Sequence, residues 1–268
     1  MRTPARTGLL VAIAASGVAY ADDAPSTDSG EPGTWAMRGV LGYSKTSGNT
    51  DTSAGNFLYH AAHVMGSWKL LFGADALYGS TEGETTSQAW DAYLQGNYNI
   101  SSRFYWYVGG RYDDDRFSGF AYQTAVKTGV GYKIIDTDAT KLTAQVGFGH
   151  RWLQPEILFR DDIGAVISRT RLESTTDWIA DAGLAYEHSF NQYTKLLAAV
   201  TVQSGQENTL TNASVALQVK MSNRLALAAG YKLTDNSSPP AGSGRRDTLT
   251  TLGVVYELKN EKLSAEPQ

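Results

Sequence analysis

Residues 86–112 read TSQAWDAYLQGNYNISSRFYWYVGGRY, and this stretch decides the fold. Before the serine turn at 101–102, polar and apolar side chains alternate with a period of two. Trp90 and Leu94 fall on one face of a strand, while Asp91 falls on the other. The same alternation resumes after the turn, so the pattern predicts a β-hairpin rather than a helix.

Both arms of this hairpin are long for a soluble strand, and their aromatic residues lie near the ends with small or aliphatic residues between them. This arrangement is typical of strands that cross an outer membrane, where two aromatic girdles flank a lipid-facing apolar band. The polar face of the hairpin then looks into a barrel lumen. Taken alone, the hairpin also fits a strand pair of a soluble β-sandwich.

The composition of the whole chain excludes several functional classes. The 268 residues contain no cysteine, which removes disulfide frameworks, cysteine-ligated zinc and thiol catalysis. A net charge of −4 gives no basic surface, so nucleic acid is not expected as a partner. The mean hydropathy of −0.30 argues against a bundle of membrane helices but suits a barrel, whose strands are apolar on one face only.

The start of the chain is typical of an export signal. Arginines precede the apolar run 8–18, and Ala19 and Ala21 supply small residues at the two positions that a signal peptidase reads. The apolar run is too short to serve as a membrane helix. We therefore predict a signal peptide over 1–21 and a flexible, polar periplasmic segment over 22–33. No cysteine stands at the cleavage point, which excludes a lipoprotein anchor.

From Trp35 onward, about twelve alternating segments follow one another without a helical pattern between them. They predict an all-β fold, a transmembrane antiparallel up-and-down β-barrel over 34–258 with a polar tail over 259–268. The sheet must close, because an open edge in hydrocarbon would leave a row of unpaired backbone groups. The last strand ends at 251–258 with the alternating polar and apolar residues that outer-membrane assembly machinery reads.

The connections between the predicted strands alternate in character. Those after strands two, four, six, eight and ten are short, whereas those after three, seven and eleven are longer or richer in polar residues. Short periplasmic turns and longer extracellular loops have this pattern, so both chain ends are expected in the periplasm.

Several turn and strand motifs together resemble a known family. They are the strand at Trp35, the turn Ser47-Gly48-Asn49-Thr50-Asp51, the strand Gly129-Val130-Gly131-Tyr132 with its exit Asp136-Thr137-Asp138, and Arg246-Asp247-Thr248-Leu249 before the last strand. The chain is similar to the salt-induced outer-membrane proteins, a family of β-barrels that carry a domain of unknown function. The resemblance implies an outer-membrane location and a link to salt or osmotic conditions, and it implies no reaction or ligand.

The inward faces of the predicted strands carry charges of both signs. The candidate lumen-lining residues are Arg38, Lys69, Asp75, Asp91, Arg111, Asp113, Lys127, Arg151, Asp177 and Asp181. A channel for acidic oligosaccharides needs a track of mostly one sign, which these residues do not supply. Two interpretations stay open: a lumen filled by paired side chains, and a small, weakly selective pore.

The connection 154–174 is the one long loop, and it is too apolar to float freely in water. We expect strands seven and eight to extend outward around a turn at 161–164; the alternative is a loop folded inward as a constriction. Two acidic clusters, at 113–115 and 161–162, are interpreted as solvated tips of extracellular loops. Neither has the spacing of a calcium loop, and no metal or cofactor is predicted.

Some barrels of this size are lipid hydrolases, which makes a lipid-facing Ser/His pair worth seeking. Such a pair on one strand needs a spacing of two residues, and the sequence contains none. A pair from neighbouring strands stays open, for instance with His150, although a girdle position beside Trp152 is the simpler interpretation of that histidine.

The sequence thus predicts a non-enzymatic outer-membrane barrel, either a small passive channel or a structural barrel. The alternatives are a lipid-modifying hydrolase and a binding or adhesion barrel acting through its long loop. Expected partners are outer-membrane lipid, lipopolysaccharide and the assembly machinery, with the protein itself a monomer or weakly associating.

Overall fold

A computed structural model describes residue 33 and residues 35–46, 52–162, 165–240 and 243–260. Its thirteen strands are β1 (Trp35–Thr46), β2 (Thr52–Met65), β3 (Trp68–Thr81), β4 (Glu84–Asn99), β5 (Phe104–Asp115), β6 (Phe120–Asp136), β7 (Thr140–Arg160), β8 (Val166–Arg171), β9 (Thr175–Ser189), β10 (Thr194–Ser204), β11 (Thr209–Lys220), β12 (Leu225–Asn236) and β13 (Arg246–Asn260). No helix in these ranges is long and apolar enough to cross a membrane. The predicted signal peptide, the segment 22–32 and the tail from 261 lie outside the described residues.

Twelve of the strands form a closed antiparallel barrel. Each strand pairs with its neighbour in the chain, except that β7 pairs with β9, and the ring closes between β1 and β13. The remaining strand, β8, pairs only with the outer part of β7. The predicted twelve-stranded barrel is confirmed, and β8 adds a short hairpin arm above it.

The two ends of the barrel differ. The terminal end, as we name it, holds Trp35 of β1, Asn260 of β13 and the five short turns that follow β2, β4, β6, β9 and β11. The loop end is the opposite end, where the β7–β8 hairpin and the connections 116–119 and 237–245 lie. The terminal end corresponds to the predicted periplasmic side.

The outer surface carries the aromatic residues that the alternation predicted. Near the terminal end, the Trp68 ring lies 5.2 Å from Tyr98 and 6.2 Å from Trp106, measured between ring centroids. Near the loop end, Tyr112 lies 5.1 Å from Trp90 and 6.1 Å from Tyr122. Exposed leucine, valine and alanine side chains cover the surface between these two levels, which is the arrangement of a lipid-facing band with girdles.

Inside the barrel, tyrosine rings occupy the space that inward-facing glycines leave. A Cβ atom on Gly131 would lie 2.1 Å from the Tyr105 ring, and one on Gly147 would lie 2.4 Å from the Tyr107 hydroxyl. Only glycine permits rings to lie this close to the wall of the neighbouring strand. The glycines of the strands therefore fix where the bulky lumen residues pack.

The structure places the long connection in a hairpin that extends past the barrel rim. Strand β7 runs to Arg160, β8 pairs with it from Val166 onward, and the Asp161 amide donates to the Ala165 carbonyl at 3.0 Å. The expected outward extension is confirmed, although Ile163 and Gly164 of its turn lie outside the described residues.

The structure refines one sequence prediction and corrects two others. The connection after β3, predicted to be longer or richer in polar residues, is the tight turn Glu82-Gly83, in which both residues have positive φ, as hairpin turns of this kind require. The alternation along 120–134 predicts that Phe120 faces lipid together with Tyr122. Phe120 is instead 5% exposed, because the backbone bulges beside it where it pairs with Pro155 of β7. Strand β13 also continues to Asn260 instead of ending at 258, since β1 provides pairing partners for Lys259 and Asn260.

Candidate functional site: the lumen and its outer mouth

An arginine between two aspartates lines the lumen on β4 and β5. The Arg111 guanidinium lies 2.8 Å from the Asp91 carboxylate and donates to Asp113 at 2.7 Å. Arg111 and Asp91 are almost fully buried, whereas Asp113 is partly accessible. The three residues were predicted to line the lumen, and here one cation is shared by two anions.

A second group joins strands that are not adjacent. The Lys127 ammonium of β6 contacts the Asp181 carboxylate of β9, and the Tyr107 hydroxyl of β5 donates to the same carboxylate at 3.3 Å. Because β6 and β9 are separated by β7, this contact ties together side chains that reach toward the barrel axis. Both charges are desolvated, so each depends on the other for stabilisation.

The third group lies just below the loop end. The Arg151 guanidinium contacts Asp177 at 3.1 Å and also the side-chain oxygen of Asn208. The Asp177 carboxylate accepts hydrogen bonds from the backbone amides of Gln206 and Glu207, at 3.0 and 3.3 Å. The connection 205–208 is therefore pinned over the lumen by an ion pair that β7 and β9 supply.

The remaining predicted lumen residues lie lower or on the opposite wall. The Asp75 carboxylate of β3 lies 2.7 Å from Nε2 of His60, a residue that the sequence prediction did not include. Arg38 of β1 is buried, and Lys69 of β3 is half-buried near the terminal end. The ten predicted residues are buried or half-buried and are distributed over seven strands rather than gathered at one point.

Paired charges leave little of the lumen wall accessible to water in its outer half. Asp91, Arg151, Asp177 and Asp181 are between 2% and 6% exposed, and Lys127 is 4% exposed. In a wide, water-filled pore these long polar side chains would be accessible along their length. The arrangement is that of a narrow lumen with its charges compensated within the protein.

At the loop end, two connections meet across the barrel mouth. A Cβ atom on Gly119 would lie 2.3 Å from the Ser243 hydroxyl and 3.1 Å from Pro240, so the connections 116–119 and 237–245 touch. These connections follow β5 and β12, which are on opposite sides of the twelve-stranded ring. We call this contact, together with Arg160, the mouth bridge.

Arg160 of β7 links the parts of the mouth bridge. Its guanidinium donates to the Phe117 carbonyl at 2.7 Å and lies 5.4 Å from the centroid of the Phe117 ring. It also interacts electrostatically with Asp115 at the end of β5 and with Asp247 at the start of β13. One cation therefore engages chain segments from two opposite sides of the mouth.

The sequence could not identify the members of the mouth bridge. Arg160, Asp247 and Phe117 belong to no periodic pattern, and their proximity results from the closure of the ring and the length of β7. The acidic stretch 113–115 was interpreted as a solvated loop tip, but Asp115 is 5% exposed. Its side chain accepts a hydrogen bond from the Phe117 backbone amide at 2.8 Å, and this bond holds the turn between β5 and β6.

The surroundings of two histidines bear on the hydrolase alternative. His150 lies 4.5 Å from Trp152 and 4.9 Å from Trp178 between ring centroids, which is the predicted girdle position. One hydroxyl–imidazole contact does occur: the Thr140 hydroxyl lies 2.8 Å from Nδ1 of His188. Within the described part of the chain, no carboxylate contacts that imidazole, and no three metal-ligating side chains converge.

Comparison with solved structures supports the fold. An outer-membrane channel from Pseudomonas putida F1 aligns with a TM-score of 0.51 and 11% identity, over 89% of this chain and 98% of that chain. The NanC porin aligns with a TM-score of 0.48 and 12% identity, over 82% and 100% of the two chains. The translocator domain of the autotransporter NalP from Neisseria meningitidis gives 0.44 and 14%, over 85% and 90%. At such identities the likeness establishes the fold alone.

A sequence-family comparison covers most of the chain. The model of the family described as "Protein of unknown function, DUF481" matches residues 40–258, from the middle of β1 to near the end of β13. No curated protein matches the chain at a significant level.

Proposed function

The chain belongs to the DUF481 family of unknown function, so its role must be argued from its own geometry, and we propose that it is a non-enzymatic outer-membrane barrel that is closed at rest. It serves as a passive, structural component of the envelope and not as a general diffusion porin. In agreement with the resemblance found in the sequence, its presence is tied to salt or osmotic conditions.

The observation that carries the proposal is the mouth bridge. Connections from opposite sides of the ring meet above the lumen, and Arg160 engages both sides. A solute arriving from the loop end would have to displace this contact before reaching the lumen.

The paired charges below the bridge give independent support. A selective channel presents unsatisfied charge or polar groups to its solute, so that they can replace part of its hydration shell. In the outer half of this lumen, Arg111, Lys127 and Arg151 each contact a carboxylate of the protein itself. Opening a path would expose these pairs, at a cost set by the loss of their mutual stabilisation.

Location in the outer membrane is supported by the closed ring and by the two levels of outward aromatic residues. A closed antiparallel barrel with an apolar exterior is the one form in which strands can cross a bilayer without unpaired backbone groups.

Single-channel recording in a planar lipid bilayer tests the proposal. The mature chain, folded in lipid and verified by a heat-modifiable gel shift, should insert without steady conductance steps. Arg160→Gln should give more frequent brief openings, because Phe117 and Asp247 lose their common partner. Arg171→Gln is the matched control, since Arg171 lies on the neighbouring strand with a side chain that is 75% exposed. Its record should match that of the unaltered protein.

Steady, porin-like steps from the unaltered chain would overturn the closed barrel. The link to salt is tested separately, by comparing protein abundance and envelope integrity of a deletion strain at low and high osmolarity. Equal abundance and equal integrity in both media would remove that part of the proposal.

A further inference from the structure

The terminal end of the barrel, with its turns, carries an excess of cations. Within four residues of a turn at the terminal end, lysines and arginines outnumber carboxylates among the side chains that the structure describes. The cations are Lys69, Arg103, Lys133, Lys141, Lys195, Lys220 and Arg224, and the anions are Asp136, Asp138 and Glu187. The terminal end is therefore an electropositive opening, although the whole chain carries a net charge of −4.

Lys69 differs from the other lumen cations because it has no carboxylate in contact. It faces the lumen from the second position of β3, beside Asn97 of β4 and Val64 of β2. The Asn97 side-chain oxygen already accepts a hydrogen bond from Gln95 at 2.7 Å. Lys69 is half-buried, so its ammonium is neither fully hydrated nor paired within the described structure.

The charges that Lys69 meets across the lumen come from β6, β7 and β9. Its electrostatic interactions with Lys133 and Lys141 are repulsive and exceed the attractive ones with Glu187 and Asp136. Several cations therefore converge on one space from different walls of the barrel.

The carboxylates of this region are already engaged by other lysines. Glu187 accepts from the Lys195 ammonium at 2.7 Å, and Asp136 lies 3.5 Å from Lys133. Glu187 of β9 is also the cross-strand neighbour of Lys141 of β7. This one carboxylate therefore lies beside lysines of two neighbouring strands, β7 and β10. Among the described side chains no carboxylate is in ion-pair contact with Lys69, and the two that attract it most, Glu187 and Asp136, contact other lysines.

We propose that the terminal end of the lumen is a binding site for multivalent oxyanions, with Lys69 as the residue that contacts the ligand and Lys133 and Lys141 as its flanking cations. The ligand class is phosphate or clustered carboxylate, because three ammonium groups from different strands favour an anion that can accept hydrogen bonds on several oxygens at once. A chloride has one acceptor atom and one charge, so it bridges cations on different strands less effectively than an anion with several charged oxygens.

The site is a dead end in the closed barrel. The paired charges of the outer half and the mouth bridge lie beyond it, so an anion enters and leaves by the terminal end. This makes the site a place of retention and not a step in conduction, and its occupancy does not depend on whether the mouth opens.

Isothermal titration calorimetry with pyrophosphate tests the site on the mature, folded chain in detergent. Sodium chloride at matched ionic strength is titrated as the reference. We expect saturable binding of pyrophosphate that Lys69→Met weakens by about tenfold or more, the factor that corresponds to loss of one strong ionic contact. Lys69→Arg should retain most of the affinity, because it keeps the charge and the donors.

Arg224→Gln is the matched control, since it removes one positive charge from an exposed turn at the same end, on a strand connection that does not contact Lys69. It should change the affinity by less than about twofold, as expected for a screened surface charge. Equal weakening by Arg224→Gln and Lys69→Met, or a heat signal that chloride reproduces, would overturn the site and indicate general screening. The heat-modifiable gel shift verifies that each variant is folded. The calorimetry is independent of conductance, so this inference and the closed barrel can fail separately.

Discussion

The two ends of this barrel are built from the same alternating strands, yet their charged side chains differ in burial and pairing. Near the loop end, Arg111, Lys127 and Arg151 are each buried against an aspartate, and loops close over them. Near the terminal end, ion pairs such as Lys195–Glu187 are partly exposed, and Lys69 has no carboxylate in contact. Burial therefore makes the loop end a structural element, whereas accessibility makes the terminal end a place where a ligand can act.

The largest expected effect comes from breaking a buried pair. Lys127→Met should lower the free energy of unfolding by about 3–5 kcal/mol, because it leaves the Asp181 carboxylate desolvated and uncompensated. Lys195→Met removes the same type of side chain from the partly exposed pair, and should cost about 1 kcal/mol or less. Urea unfolding in lipid vesicles, followed by tryptophan fluorescence, measures both. A similar cost for the two variants would mean that the ends do not differ in desolvation.

A second variant separates charge from loss of the pair. Replacing both partners, with Lys127→Met and Asp181→Leu together, should recover most of the stability lost in the single variant, since no unpaired charge is left. The double variant also tests whether the charges of this pair are needed to keep the lumen closed. If the two side chains only fill space, the double variant should show no more conductance in a planar bilayer than the unaltered chain.

A smaller effect is expected where tyrosines pack against glycines. Gly129→Ala should lower the free energy of unfolding by about 1–3 kcal/mol, as overpacking does. Its Cβ would lie 2.3 Å from the Val146 carbonyl oxygen and 2.6 Å from the Gly147 backbone, which cannot move aside like a side chain. At Gly110 the nearest atom is 3.8 Å away, so Gly110→Ala should change stability by less than about 1 kcal/mol in either direction. Equal effects at both glycines would show that the wall adjusts to the added methyl group.

The difference between the two ends also explains which features could be predicted from the sequence. The period-two alternation was sufficient to predict a closed barrel of about twelve strands and to assign residues such as Asp91 and Arg151 to the inward faces, because each strand has only two faces. Pairing across the lumen was not predictable in this way. Lys127 meets Asp181 only because the ring closes with β7 between β6 and β9.

The mouth bridge was even less predictable from a local sequence pattern, because its residues are far apart in the sequence. Arg160 interacts electrostatically with Asp247 because β7 extends beyond the rim. A bulge beside Phe120 also reverses which residues face inward at this point. At the terminal end, the individual lysines were visible in the sequence as inward residues. Their excess over carboxylates became apparent only when the strands were aligned by depth.

The smallest expected effect concerns the exposed rim of the loop end, and it tests whether salt acts there. The Asp235 carboxylate of β12 lies 3.2 Å from both Arg245 and Arg246, whose side chains are exposed. Asp235→Asn should slightly lower the urea midpoint at low salt, and the difference should vanish at about 1 M salt, where the Debye length falls to about 3 Å. Asp162→Asn, at the tip of the β7–β8 hairpin, removes an exposed charge that has no ion-pair partner in the described structure, and it should change the urea midpoint at neither salt concentration. The Lys127–Asp181 pair, being desolvated, should keep its contribution at both salt concentrations. If high salt instead weakened the buried pair and the rim pair equally, water and ions would have to reach Asp181, and the lumen would be open.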